Sequence, residues 1–450
     1  ARALQEKGVT QVFTLSGGFC NPALEGFMEC GISVINAPHE QVAGHLADGH
    51  TRITRQPAVC LVGPEGFATA VPAMMEAWGE RSPVVFVTGS STLKRQGSGG
   101  FKEIDDVSIA APLTKYSVSI TDGERISEIV DRAWKIALSG YPGAVHISMP
   151  VDIMFSSFEQ DAMRDERPFD RGAKPTARAW PCPDDLEQAL AAISRAQKPI
   201  IIGGHGVWWS GAEASLEACA TKLNIPVFNV PYHQKLLSEA SAVYMGLADI
   251  HQYHPSQQAI DESDVVIMVG TRLDNQMNFG NPPLFPSGTH LICVNGSHEE
   301  IEMNRAADRV LLSDPGAFFS ALAELDPFTP DWLAANRDRR AQWVKDMLAD
   351  IPELDDGQIH PLQLALDVQA AMSDGDWLVI DGGNTHFWSE ISVNIAGWNG
   401  LKLGSILHPG TFSMLGVGVP FASVAKLNQP DKNVVVISGD GAILSGGSSI

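Results

Sequence analysis

The sequence predicts an α/β protein of three doubly wound parallel-sheet domains, the last of them incomplete. Three observations predict it. Short apolar runs alternate with stretches of helical spacing, the pattern of βαβ units whose sheet is covered on both faces. Polar, charge-rich stretches interrupt that alternation twice, and 450 residues suit two or three domains rather than one. The last alternating stretch stops soon after its final strand, too early for a full doubly wound sheet.

The first domain is expected over 1–155. Gln11–Leu15, Ile32–Ile35, Ala58–Val62, Val84–Thr88 and Ala144–Met149 read as buried strands, with helices at Glu40–Arg55 and Ala68–Gly79. Ser156 to Asp185, with clustered charges, four prolines and no period, reads as a linker. A central domain follows over 183–325. It holds Pro199-Ile-Ile-Ile-Gly-Gly-His-Gly206, Ile225–Phe228, and strands Val265–Val269 and His290–Val294. Asp326 to His360 reads as a charged, Trp-bearing connection. The third domain, 358–450, opens with helix Pro361–Met372 and strand Trp377–Ile380 and closes with strand Val434–Ser438 and a turn. Ala1-Arg-Ala-Leu4 reads as mid-helix and the chain stops where a helix should begin. A C-terminally truncated fragment that also lacks a short N-terminal piece is therefore expected.

Composition narrows the class. Hydrophobic residues make up 44% and charged residues 19%, the profile of a globular chain. A net charge of −22 argues against nucleic acid and anionic membranes as partners, and leaves any anionic substrate in need of local positive groups. No apolar run reaches membrane-spanning length and no signal peptide opens the chain. Six scattered cysteines without metal-like spacing read as reduced core thiols, which favours the cytoplasm.

Four segments carry candidate chemistry. Pro38-His39-Glu40 lies just past a strand and opens a helix, where a glutamate either favours the helix dipole or faces a ligand beyond the strand end. Gly439-Asp440-Gly441 follows Val434–Ser438. Its glycines permit a close approach to phosphate and its aspartate offers a hard oxygen to a divalent cation, although Asp-Gly is also a common turn. Asp381-Gly382-Gly383-Asn384-Thr385 offers small residues with amide and hydroxyl donors for phosphate oxygens, or equally an N-capped turn. Ser413–Pro420, apolar and glycine-rich, reads first as packing with close backbone approach. Gly203-Gly-His-Gly206 lacks the full GxGxxG spacing and licenses no dinucleotide claim.

Taken together and in this order, these pieces resemble the thiamine-diphosphate enzymes, the family of acetolactate synthase, benzaldehyde lyase and pyruvate decarboxylase. Leu15-Ser-Gly-Gly18, Pro38–His45, Ala77-Trp78 through Pro83–Gly89, and Phe101–Lys115 carry the likeness, the last being most similar to the acetolactate synthase and benzaldehyde lyase branch. The resemblance implies thiamine diphosphate and Mg²⁺ as cofactors. It assigns Glu40 to the ring nitrogen of the aminopyrimidine, where a buried carboxyl that keeps its proton can donate. Leu415 matches the bulky residue that bends the cofactor into a V. Asp440 would bind Mg²⁺, and Gly383, Asn384, Thr385, Gly439 and Gly441 would line the diphosphate. Gly18 and Lys102 fall at the substrate. Lys102 stands where acetolactate synthases have glutamine, so it either meets a substrate carboxylate or is an ordinary solvated lysine.

Two departures matter. Ala68-Thr69 replaces the family's Thr-Asn near the pyrimidine, which puts that contact in question. The asparagine that closes the family's metal motif lies beyond Ile450, so the chain as written is expected to bind cofactor poorly and to be inactive. Val269–Asp274 resembles a segment that can touch a flavin, but Cys293-Val-Asn-Gly-Ser297 replaces the Asp-containing strand end. FAD is thus compatible and not predicted. The implied activity is decarboxylation of a 2-oxo acid with transfer of the aldehyde unit to a second carbonyl. The alternatives are lyase chemistry on a 2-hydroxy ketone, or a non-catalytic cofactor-binding or regulatory subunit. The implied assembly is a homodimer or dimer of dimers with active sites at the subunit interface.

Overall fold

The computed structural model describes residues 1–158, 178–232, 234–249, 253–354 and 357–446. Six strands near the N-terminus build the first sheet: β1 (Gln11–Thr14), β2 (Ser33–Asn36), β3 (Ala58–Val62), β4 (Val84–Ser90), β5 (Ser117–Ser119) and β6 (Val145–Pro150). They run parallel in the order β2-β1-β3-β4-β6-β5. Alternate residues of each central strand feed opposite cores. Val12, Val59, Leu61 and Val85 enter one cluster, while Phe13, Cys60, Val84 and Phe86 enter the other. A sheet buried on both faces therefore needs apolar runs, which β3 and the Val84–Val87 stretch of β4 supply.

The second sheet contains β7 (Pro199–Gly203), β8 (Val227–Asn229), β9 (Tyr244–Leu247), β10 (Val265–Val269), β11 (His290–Asn295) and β12 (Arg309–Leu312), in the parallel order β12-β11-β10-β7-β8-β9. Here too Ile201, Ile267 and Ile292 face one core, and Ile200, Val266 and Leu291 the other. The glycine turn after β7 serves packing, because a Cβ on Gly206 would lie 2.7 Å from the Gly270 Cα. A small third sheet holds β13 (Trp377–Ile380), β14 (Ser405–Leu407) and β15 (Val434–Ile437) in the order β14-β13-β15. Three parallel-sheet α/β domains, the last with a small sheet, match the expected fold class.

The chain divides into two compact units. One comprises Ala1–Thr176, Asp381–Gly383 and Leu407–Ile450; the other comprises Ala177–Ile380 and Asn384–Ile406.

Several expectations are corrected. The strand around Ile32–Ile35 is β2, a half-exposed edge rather than a buried strand, because no strand lies beyond it in the sheet order. The Asp326–His360 connection contains a 20-residue helix, Pro330–Ala349. Of the six free cysteines, Cys182 is exposed and Cys30 half-buried, so only four are core thiols. Pro183–Asp185 already belong to a helix, and most of the expected linker lies outside the described residues. No helix among the described residues is long and apolar enough to cross a membrane.

Candidate active site

Glu40 opens the helix Glu40–Thr54 just past the carboxyl end of β2. His39 caps that helix from an extended backbone, its Nδ1 accepting from the Gln41 N–H at 3.2 Å. The Glu40 carboxylate turns toward the first turns of the helix Pro64–Gly79. There the Thr69 hydroxyl donates to its Oε2 at 2.9 Å, sharing its proton with the Gly66 carbonyl at 3.1 Å. Gly66 makes room for the arrangement, since a Cβ there would sit 2.7 Å from both Cγ and Oε1 of Glu40. Glu40 is half-buried, not fully buried as expected, because the helix start faces out from the sheet edge. Farther along, Gly44 lets the two helices touch: its Cβ would fall 2.5 Å from that of Ala73.

Gly18 begins a short 3-10 turn, Gly18–Cys20, where a Cβ would meet nothing within 4 Å. Lys102 is partly exposed. Its ammonium pairs with Glu65 and lies 5.6 Å from the Phe19 ring and 5.3 Å from the Phe101 ring. That ammonium holds the Glu65 carboxyl below the usual carboxylate range. Glu65 and Gly66 are neighbours, so the ion pair is one residue from the Glu40 contact. Burial pushes the Cys20 thiol up to about 12, which leaves it protonated and unreactive.

A second group of expected residues gathers around Asp381, 1% exposed at the end of β13. Its Oδ1 accepts from the N–H groups of Gly382 at 2.8 Å and Gly416 at 3.0 Å. Its Oδ2 accepts from the Gly418 N–H at 3.1 Å and the Ser438 hydroxyl at 3.0 Å. One acceptor-only carboxylate thus ties three loops together. Leu415 lies among them, 39% exposed, with its Cδ2 where a Cβ on Gly382 would be 2.8 Å away. Gly383 adopts φ +85° and Gly416 φ +89°, conformations that favour glycine. Asp440 begins the short helix Asp440–Ser445, exposed, its Oδ1 accepting from the Gly441 N–H at 2.8 Å. Asn384 and Thr385 open the helix Asn384–Trp398 of the other unit.

The chain matches the thiamine pyrophosphate enzyme family in three places. These are the N-terminal TPP binding domain at residues 1–109, the central domain at 186–322 and the C-terminal TPP binding domain at 389–450. A probable acetolactate synthase from Mycobacterium bovis is 30% identical, covering 98% of this chain and 78% of that protein. The chain belongs to the thiamine-diphosphate enzymes, in the acetolactate synthase branch. Two further relatives, each 28% identical, are a probable acetolactate synthase large subunit from Methanococcus aeolicus, with 98% and 75% coverage, and the human 2-hydroxyacyl-CoA lyase 2, with 98% and 74%.

The residues present fit the family's cofactor. Glycines with left-handed or unobstructed backbone flank Leu415, and a Cβ on Gly441 would meet nothing within 4 Å, so phosphate oxygens can approach main-chain N–H groups. Among the described residues no group of three or more His, Cys, Asp or Glu could hold a metal ion by itself. Asp440 offers a single carboxylate. That suits an ion such as Mg²⁺, which keeps waters and takes phosphate oxygens as further ligands.

Sequence reasoning missed two features here. Asp381 was read only as part of a donor-rich turn, although a carboxylate beside consecutive glycines is a signal for backbone anchoring. Thr69 stands where the pyrimidine contact was in question, and its hydroxyl holds Glu40.

Proposed function

We propose that this thiamine-diphosphate enzyme removes CO₂ from a 2-oxo acid and passes the remaining aldehyde unit to a second carbonyl. The observation that carries the reading is Glu40, half-buried, packed on Gly66 and held at one oxygen by Thr69. With Oε2 engaged, Oε1 is left to hold a proton against the ring nitrogen of an aminopyrimidine. When bound, thiamine diphosphate would supply a carbon nucleophile for the substrate carbonyl and a cationic ring to take up the electron pair left by CO₂.

The protein's contribution is orientation and charge. The partly exposed Leu415 would serve as the wedge that positions the cofactor. Gly383, Asn384, Thr385, Gly439 and Gly441 would hold its diphosphate, and Asp440 the Mg²⁺ that neutralises it. Lys102, flanked by Phe19 and Phe101, and Gly18 meet the substrate, with the Lys102 ammonium taking its carboxylate in place of Glu65. Such placement accounts for rate through geometry rather than new bonds. The domain boundaries are taken as 1–155, 183–325 and 358–450, and the working form as a homodimer or dimer of dimers with sites at the subunit interface.

The test is titration of the full-length protein with thiamine diphosphate and Mg²⁺ while CO₂ release from pyruvate is followed, with Glu40→Gln alongside. Turnover that collapses in the variant is the expected result. Cofactor binding without CO₂ release moves the reading to cleavage of a 2-hydroxy carbonyl compound, the direction in which the name of the human lyase relative points. Failure to bind cofactor overturns the catalytic reading.

A further inference from the structure

The helix Glu40–Thr54 and the helix Pro64–Gly79 bury a charged cluster that the chemistry above does not use. Arg52 donates through Nε and Nη2 to both oxygens of Asp48, at 2.9 and 2.6 Å, and through Nη2 to Glu76 Oε1 at 3.0 Å. Glu80 lies 4.0 Å from Nη1. All four side chains are at most 1% exposed. One guanidinium faces three carboxylates, and burial pushes the Glu76 carboxyl well above its usual range while Arg52 opposes the shift. Taking such ions out of water costs several kcal/mol each, so what their remaining hydrogen bonds hold is informative.

They hold one segment. Arg52 Nη1 donates to the His408 carbonyl at 2.8 Å, the Thr411 N–H donates to Glu80 Oε1 at 2.6 Å, and the Met414 N–H donates to Glu76 Oε2 at 3.1 Å. Between His408 and Leu415 the chain has only the single turn Gly410–Phe412, and it passes through left-handed backbone at Gly410 and Ser413. A stretch with so little secondary structure must find its hydrogen bonds elsewhere. The next residue after Met414 is Leu415, and the one after that, Gly416, gives its N–H to Asp381. The N–H groups on either side of Leu415 are thus fixed by two carboxylates, Glu76 before it and Asp381 after it.

We propose that Glu76, braced by Arg52 and Glu80, is a positioning residue that fixes the main chain carrying Leu415. The functional half of this statement rests on the proposed role of Leu415 as the wedge; the anchoring half does not. Loss of the Glu76 anchor frees Met414 and lets Leu415 rotate while the sheet beneath stays folded. Glu76→Gln keeps the side chain's size but gives up one acceptor oxygen; the oxygen that remains stays with the charged Arg52, so the Met414 N–H faces an amide NH₂ and loses its partner.

The experiment joins amide hydrogen exchange on the cofactor-free chain with steady-state kinetics on the loaded enzyme. Exchange at Met414 in Glu76→Gln should quicken about tenfold, as expected for one lost hydrogen bond to a charged group, with β3 and β4 amides unchanged. In the loaded enzyme kcat should fall and KM for the 2-oxo acid should stay within about twofold, the mark of a lost orientation rather than lost binding. Adding Leu415→Ala to Glu76→Gln should cost no more than Leu415→Ala alone, because both changes act through one side chain.

Unchanged exchange at Met414 overturns the anchoring. Losses that add in full in the double variant overturn the route through Leu415. A Leu415→Ala enzyme with normal kcat removes the wedge reading and with it the functional half, while exchange still decides the anchor. Should Glu76→Gln not fold, Glu80→Gln tests the same brace through the Thr411 amide, where equal protection in variant and parent counts against it.

Discussion

Gly66→Ala isolates the placement of Glu40 from the stability of the fold. The new Cβ would lie 2.7 Å from Glu40 Cγ and Oε1 and 3.0 Å from its Cδ, so the carboxylate must retreat by about 0.7 Å to reach even a tight 3.4 Å contact. Nothing in the backbone resists the change, because Gly66 has an ordinary φ in the first turn of its helix. Alanine in a helix gains up to about 1 kcal/mol over glycine, and pushing Glu40 off its rotamer costs about 0.5–1.5 kcal/mol. The two nearly offset, so the urea midpoint should shift by less than about 1 kcal/mol in equivalent stability. Activity has no such compensation. The Thr69 bond is broken, and a displacement on the order of 1 Å at a catalytic group costs about 10²-fold in rate. Urea denaturation and CO₂-release kinetics on the same preparation provide the comparison. A folded variant that retains kcat within about twofold would refute the claim that Gly66 sets the position of Glu40.

Three further outcomes are expected. Thr69→Val should lower kcat about tenfold and cost less than about 1.5 kcal/mol in stability, with Thr69→Ser restoring both, since the change removes only the hydroxyl that bonds Glu40 and the Gly66 carbonyl. Asp381→Asn puts amide protons toward N–H donors and should cost about 3 kcal/mol, with thiamine-diphosphate affinity falling in a fluorescence titration; unchanged affinity would show that the three loops hold their places without it. Burial, with Arg52 adding to it, lowers His45 from 6.5 to about 3, so between those values the unfolded chain binds the extra proton and stability falls as pH drops. The His45 share of that loss is about 2 kcal/mol near pH 5, and His45→Gln should flatten the dependence of the urea midpoint on pH.

The fold was legible where one period dominates. Strands β3, β7 and β10 are unbroken apolar runs and β4 opens with one at Val84–Val87, and they fall at or within two residues of where the sequence reading puts them, because burial on both faces favours apolar letters. The helix Pro330–Ala349 was read as a connection for the opposite reason. Its buried residues, Trp332, Asn336, Arg340, Trp343 and Val344, keep helical spacing, but two of the five are polar and hide the stripe. Arg340 is accommodated there by donating to the carbonyls of Tyr244 and Asn394 at 2.7 and 3.3 Å, partners no local window contains. The site shows the same division. Glu40, Leu415 and Asp440 stand in contiguous motifs, which is why the sequence singles them out as candidates. The Arg52 cluster is not singled out that way, since its two i,i+4 pairs, Asp48–Arg52 and Glu76–Glu80, come from different helices and meet a loop more than 300 residues away.

Glycines facing acids recur in both units. Gly66 faces Glu40, Gly410 faces Glu80 and Gly418 faces Asp381 in one, and Gly397 faces Glu239 in the other, each at a distance no Cβ could occupy. This imposes an order on mutational drift. At Gly66 and Gly418 a lineage can shorten the acid first and enlarge the facing glycine afterwards, whereas Gly410 is also held by its φ of +69° and Gly397 faces the Glu239 Cβ itself. The reverse order begins with a clash. Descendants of such a chain should therefore have exchanged the Gly66 and Gly418 pairs jointly, acid before glycine, and libraries that vary glycine alone will sample a dead end that libraries varying both positions escape.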